Sequence, residues 1–293
     1  RGAGDAKWAM YTLWIANIIN IILDPLLIFG WGPFPELGLE GAAIATNIGR
    51  GTGVLFQIFI LFGGRSLLKV TKKHFQFNMD VISKIMRIAS TGCLQFIIGT
   101  ASWLFMVRLI AEFGSAALSG YTYAIRIIIF TILPSWGLAN AAATLVGQNL
   151  GALKPDRAEK SVWRAAFANM FFLALVGIVF FIFAEDFIKI FGQDPEVVSN
   201  GVHALRIICL GYVFFAFGMV IGQSFNGAGD TVTPTIINFF CSWMIQIPLG
   251  WFLSQKLGMG PDGVYWAISI SSSILAVVSI LVFRKGKWKR VQV

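Results

Sequence analysis

"AAFANMFFLALVGIVFFIFA", residues 165–184, carries no charged side chain from end to end. A helix of about 20 residues is about 30 Å long, enough to cross the hydrocarbon core of a bilayer. Five more uncharged windows follow the same rule: Ile88 to Val107, Ile127 to Leu153, Ile207 to Gly229, Thr231 to Gln255 and Gly263 to Phe283. Two further apolar spans, Trp8 to Trp31 and Gly38 to Gly64, are interrupted by Asp24 and Arg50. The runs are continuous rather than alternating, which favours helices over barrel strands. The sequence therefore predicts an all-α transmembrane protein with eight membrane helices. Composition agrees, with 57% hydrophobic and 13% charged residues, against about 25% charged in soluble domains.

The charges that remain are bunched. Arg65, Lys69, Lys72, Lys73, Lys84 and Arg87 separate the second span from the third. Lys154, Arg157, Lys160 and Arg164 separate the fourth from the fifth, and Arg284, Lys285, Lys287, Lys289 and Arg290 follow the eighth. The alternate connections hold Glu36 and Glu40, Glu112, then Glu185, Asp186, Asp194 and Glu196. By the positive-inside rule the basic loops and the C-terminus face the cytoplasm of a multi-pass plasma (inner) membrane protein. The net charge of +9 is thus a topology signal, and no nucleic-acid partner is expected.

No nucleophile–base constellation, phosphate loop or dinucleotide fingerprint occurs, so no enzyme and no cofactor is expected. Cys93, Cys209 and Cys241 each sit within an apolar span and read as packing residues. His74 and His203 have no His or Cys at ligand spacing.

An internal repeat organises the spans. "GAGD" occurs at 2–5 and again at 227–230, each time before a long apolar span containing a proline, Pro25 or Pro248. A Gly-rich loop follows, and the next span opens with "GLEGAAIA" at 38–45 or "GPDGVYWA" at 260–267. Such pairing suggests a duplicated membrane module. Four spans precede the second copy's pair and none precede the first. The opening "RGAGDAKWAM" has neither initiator Met nor signal peptide. Both features lead to the expectation of a longer chain of six plus six helices.

"NIILDPLLIFG" (20–30), "GLEGAAIATNIG" (38–49), "LVGQNLGA" (145–152) and "NGAGDTVTPTIIN" (226–238) together resemble the multidrug and toxic compound extrusion (MATE) transporters. The resemblance runs along the whole chain and is specific in combination. It implies twelve helices in two six-helix lobes around a central cavity, with cation-coupled export. Residues 1–64 would then be the last two helices of the N-lobe, 65–83 a cytoplasmic linker and 84–293 the six-helix C-lobe.

Asp24 is the residue a greasy helix can least explain. Asn20 and Asp24 are four apart and share one helix face. The midpoint between 24 and 46 falls at residue 35, inside the turn "GPFPELG". In an antiparallel hairpin Asp24 and Thr46 therefore lie at one depth. A carboxylate, an amide oxygen and a hydroxyl suit a hard cation, and a buried carboxylate can also exchange protons. The resemblance implies that Asn20, Asp24 and Thr46 contribute to a cation site for H+ or Na+. The bland alternative is a carboxylate that only satisfies backbone groups freed at Pro25. Arg50, roughly level with Asn20, is expected to reach Asp24, to face a polar cavity or to pack between helices.

Gln95, Tyr121 and Asn140 are further candidates to line a C-lobe cavity, the alternative being helix–helix contacts. Arg126 is expected to be paired or to face a cavity, and Arg108 to snorkel. Asp5 and Asp230 read as helix caps, and "GQNLGA" as a helix ending on a glycine cap. The expected function is secondary active efflux of amphipathic, chiefly cationic, organic compounds by alternating access, coupled to H+ or Na+. Its partners would be small organic substrates and membrane lipid, and the full-length protein would be monomeric. A lipid-linked sugar flippase of related architecture is the alternative, disfavoured by the few basic residues within spans. A membrane scaffold without transport would leave Asp24 unexplained.

Overall fold

The computed structural model describes residues 5–67, 70–71 and 77–290, the side chain of Arg290 excepted. Lys69, Lys72, Lys73 and His74, and the first "GAG" at 2–4, lie outside the described residues. All regular elements among the described residues are helices. The chain divides into two compact units, Arg1–Asn78 and Met79–Val293.

The first unit is a hairpin of α1 (Ala6–Ile28) and α2 (Gly38–Phe62). Glycines on α2 fix its register and direction. Gly41 lies on the Leu27 backbone, Gly49 on Ala16 and Asn20, and Gly53 on Thr12 and Ala16, so the helices run antiparallel. With Ala45 they form a stripe of small residues four apart, which lets two helices approach closely in lipid. A Cβ at Gly41 would stand 2.3 Å from the Leu27 carbonyl oxygen, so only glycine fits there. Asp5 does not cap α1 as the sequence suggests. Its carboxylate instead accepts from Ser66 Oγ at 3.0 Å and the Leu67 N–H at 3.4 Å, closing the open end of the hairpin.

The second unit begins with α3 (Met79–Ala111) and α4 (Ser115–Gly151). It continues through α5 (Pro155–Ile182), short α6 (Ala184–Lys189), α7 (Pro195–Leu210) and α8 (Tyr212–Gly227). A composite helix follows: α9 (Val232–Phe239), a π-helical stretch (Phe240–Gln246), α10 (Ile247–Trp251) and a second π-helical stretch (Phe252–Lys256). Helix α11 (Pro261–Arg284) and a 3-10 turn (Lys287–Arg290) complete it. Among the described residues seven helices are long and apolar enough to span a membrane, or eight when α7 and α8 count as one bent span. The protein is a multi-pass membrane protein. Its lipid-facing surface is rich in exposed Phe, Leu, Ile and Trp, as a bilayer solvent permits.

Two local features depart from a simple reading of the windows. The span around Ile207–Gly229 is broken at Gly211, where α7 and α8 meet at 57°. A Cβ there would press on Ser269 at about 3.3 Å. The end of α4 is capped by Leu153, not by a glycine: it takes φ 58°, with Leu153 N–H bonded to Leu150 O and Lys154 N–H to Asn149 O. That is the paired-bond helix terminus usually built on glycine. Asp230, by contrast, does cap α9 from one residue outside, accepting from the Thr233 N–H at 3.0 Å.

Helix α4 packs on α5, α7 and α8, and α11 packs on α7 and α8. Small residues let these helices cross: Gly227 sits on Ala143 and Gly120 on Gly201. A buried polar knot joins three of them beside Pro134. Ser135 Oγ donates to Asn169 Oδ1 at 2.7 Å, and Asn169 Nδ2 donates to the Ala216 carbonyl at 3.1 Å. Satisfied pairs of this kind fix helix register in the membrane. Trp288, 1% exposed, stacks on Phe283, and Lys289 reaches Glu159 at 2.6 Å. The chain after α11 is thus tied back to the start of α5. Glu159 and Asp156 beside it raise the Lys289 pKa above its ordinary value.

Candidate functional site

The hairpin brings Asn20, Asp24 and Thr46 together. The amide orientation of Asn20 that suits both neighbours has Nδ2 donating to Asp24 Oδ2 at 3.1 Å. Its oxygen then accepts the Thr46 N–H at 3.3 Å. In the opposite orientation Nδ2 lies 3.5 Å from Asp24 Oδ1 and 3.4 Å from Thr46 Oγ1, both long contacts. The trio is a product of local sequence. A four-residue spacing stacks Asn20 over Asp24, and the glycine stripe draws α2 close enough for Thr46 to meet Asn20.

Pro25 adds to the cluster's polarity. It sits inside α1 and has no N–H for the Ile21 carbonyl, so one backbone oxygen lacks its intrahelical donor a turn away from Asp24. Asp24, half-buried, supplies a charge in an otherwise apolar helix. The arrangement offers a carboxylate, a hydroxyl and backbone oxygen at one level. That set can hold a hard monovalent cation or exchange a proton.

Arg50 does not join it. Gly49, not Arg50, faces α1, and the next residue is turned about 100° away on a helix. Arg50 is exposed and forms no ion pair with Asp24. The expected alternative of Arg50 reaching Asp24 is thereby corrected.

Two of the cavities among the described residues of the second unit have volumes of about 270 and 690 Å³. Tyr121 lines the smaller, where its ring stacks on Tyr265 at 6.0 Å. Gln95 lines the larger, with Gln223, Asn226 and Thr231. Asn140 lines neither: its amide donates to the Trp136 carbonyl at 2.9 Å, a bond within α4. Arg126 is likewise exposed and outside both cavities, and Arg108 faces outward from α3. Trp103 and Gly99 border both cavities. Trp103 is one of 10 tryptophans, with nothing in the sequence to single it out. Asn226 and Thr231 belong to the "NGAGDTVTPTIIN" motif, so a signal for them existed. No charged residue lines either cavity.

Comparison with known proteins places this geometry. Residues 88–252 match the MatE family model. The chain is 26% identical to the probable multidrug resistance protein NorM of Thermotoga maritima, over 99% of this chain and 62% of that protein. It is 24% identical to the multidrug export protein MepA of Staphylococcus aureus, over 96% and 61%. Against an FAD transporter of Shewanella oneidensis it is 26% identical, over 90% and 57%. The chain thus spans about three fifths of the length of these relatives. Among solved structures, a MOP superfamily transporter from Pyrococcus furiosus aligns with TM-score 0.90 at 24% identity, over 98% of this chain and 64% of that one. An outward-facing multidrug resistance MATE transporter gives 0.88 at the same identity, over 98% and 64%. At that identity the likeness speaks for the fold.

Proposed function

The chain belongs to the MatE family, and from that premise we propose that it serves secondary active export of small amphipathic organic compounds, cationic ones foremost, coupled to H+ or Na+ by alternating access. The observation that carries this reading is the Asn20–Asp24–Thr46 cluster, a carboxylate accepting from the Asn20 amide inside an apolar hairpin. An ionisable group at such depth is costly and is retained where it handles ions. Asp24 exists in two states, loaded with an ion or bare. If the two states favour different packings of the helices, ion binding and release drive the change of access. The names of the NorM and MepA relatives support multidrug compounds as cargo.

The test is efflux of a fluorescent organic cation from proteoliposomes carrying the full-length protein, under an imposed proton or sodium gradient. Efflux driven by either gradient supports the reading, and efflux indifferent to both refutes it.

Orientation follows from the basic loops: the α4–α5 connection and the C-terminus are assigned to the cytoplasm of the plasma membrane, the α1–α2 turn to the outside. A cysteine placed at Lys154 is expected to react with an impermeant maleimide only from the inside, and one at Glu36 only from the outside. Labelling of position 154 from outside would reverse the topology.

A further inference from the structure

One side of α5 is exposed along its length. The opposite side, with Ala158, Val162, Ala166 and Leu173, is buried, and α5 packs on α4 and α8. On the exposed side Phe167 and Phe171 are 55% and 71% exposed, and Leu175 and Ile178 continue the stripe. Arg157, Lys160 and Arg164 are exposed too. At about 100° per residue these three fall within about 60° of one another, in line with Phe171. The row is about 10 Å long and begins where the apolar stripe ends. Its side chains therefore leave the helix toward lipid, at the level of the headgroup layer, about 5–8 Å thick on each side of the hydrocarbon.

The neighbouring carboxylates are engaged elsewhere. Lys289 reaches Glu159 at 2.6 Å and Asp156 at 3.3 Å, and Trp163 Nε1 donates to Glu159 at 3.3 Å. Both acids of the first turns of α5 are thus answered by the chain after α11. Among the described residues Arg157, Lys160 and Arg164 form no ion pair. Arg284 flanks the row, its guanidinium 5.7 Å over the Trp163 ring. Trp163 is set about 60° round α5 from Lys160. Arg157, Lys160, Arg164, Arg284 and Lys289 against Asp156 and Glu159 leave this corner with a net charge of +3.

We propose that this row and the stripe in line with it bind an anionic phospholipid, the phosphate held by Arg157, Lys160 and Arg164 and the acyl chains laid along Phe167, Phe171 and Leu175. A guanidinium takes a phosphate through two parallel charge-assisted hydrogen bonds. Basic residues at the membrane surface attract anionic headgroups, each adding to the affinity. A lipid fits better than a free phosphate, because the exposed stripe gives its chains a surface aligned with the cations. The inference goes beyond ion coupling and needs neither Asp24 nor transport.

The experiment is native mass spectrometry of the full-length protein in detergent, titrated with phosphatidylglycerol or with phosphatidylcholine of the same chains. The first phosphatidylglycerol is expected to bind about tenfold more tightly than phosphatidylcholine, or better. Arg157→Gln combined with Arg164→Gln is expected to weaken it about thirtyfold, the worth of two surface cations. Both residues are exposed, so the thermal midpoint without lipid should not move. The control combines Lys154→Gln with Lys285→Gln, which removes the same charge from exposed helix ends outside the row. It should leave the affinity within about threefold of wild type. Inorganic phosphate in excess should not displace the lipid. Equal affinity for the two lipids, wild-type affinity in the row variant, an equal loss in the control, or displacement by phosphate would overturn the proposal. Because binding is read without a gradient, its failure and a failure of ion coupling are separate results.

Discussion

Gly227→Ala is expected to cost about 3 kcal/mol of stability or more, a very large effect for one methyl group. The Cβ would stand 2.3 Å from the Ala143 carbonyl oxygen, 2.6 Å from its Cα and 2.7 Å from its carbonyl carbon. All three are backbone atoms of α4, so no side-chain rotation relieves the clash and α8 must move as a body. Gly222 provides the control on the same helix. A Cβ there meets nothing within 4 Å, and Gly222→Ala should be neutral or stabilising by up to about 1 kcal/mol through helix propensity. Thermal midpoints of the two variants in detergent, read by fluorescence-detected size exclusion, measure the difference. Similar midpoints would mean that the α4–α8 crossing is not closely packed.

The spans and the Asp24 cluster were legible for related reasons. An uncharged run of 20 residues has one low-energy solution in lipid, and Asn20, Asp24 and Thr46 needed only helix period and a hairpin midpoint to be brought to one level. What the sequence hides is helix phase and local backbone geometry. Arg50 is one residue from Gly49, and that single step turns it away from Asp24. Asn140 is polar and mid-span, yet a carbonyl of its own helix satisfies it. The break at Gly211 lies against α11 and the π turns after Phe239 against α11 and α3, contacts that no window of the sequence contains. Leu153 shows tertiary context overriding propensity: a left-handed position went to leucine although Gly151 stood two residues away. Trp103 was invisible because its place between two cavities depends on helices far apart in sequence.

The central claim, that Asp24 switches ion coupling, is tested most directly by gradient-driven efflux in Asp24→Asn. The substitution keeps size and polarity and removes only the titratable charge. The Asn20 amide can donate to the oxygen of an asparagine at 24, and its bond with the Thr46 N–H is untouched, so the hairpin should still insert and fold. Binding of the organic cation at equilibrium should largely survive. What is lost is the difference between the loaded and bare states, and with it the work an ion gradient can do on the helices. Asn20→Ala and Thr46→Ala, each removing one neutral oxygen, should slow driven efflux more mildly. The measurement is the initial rate of fluorescent-cation efflux from proteoliposomes of the full-length protein, under proton and then sodium gradients. The account predicts a loss of about a hundredfold or more in Asp24→Asn under whichever gradient drives the wild type. Wild-type rates in Asp24→Asn under both gradients would contradict it.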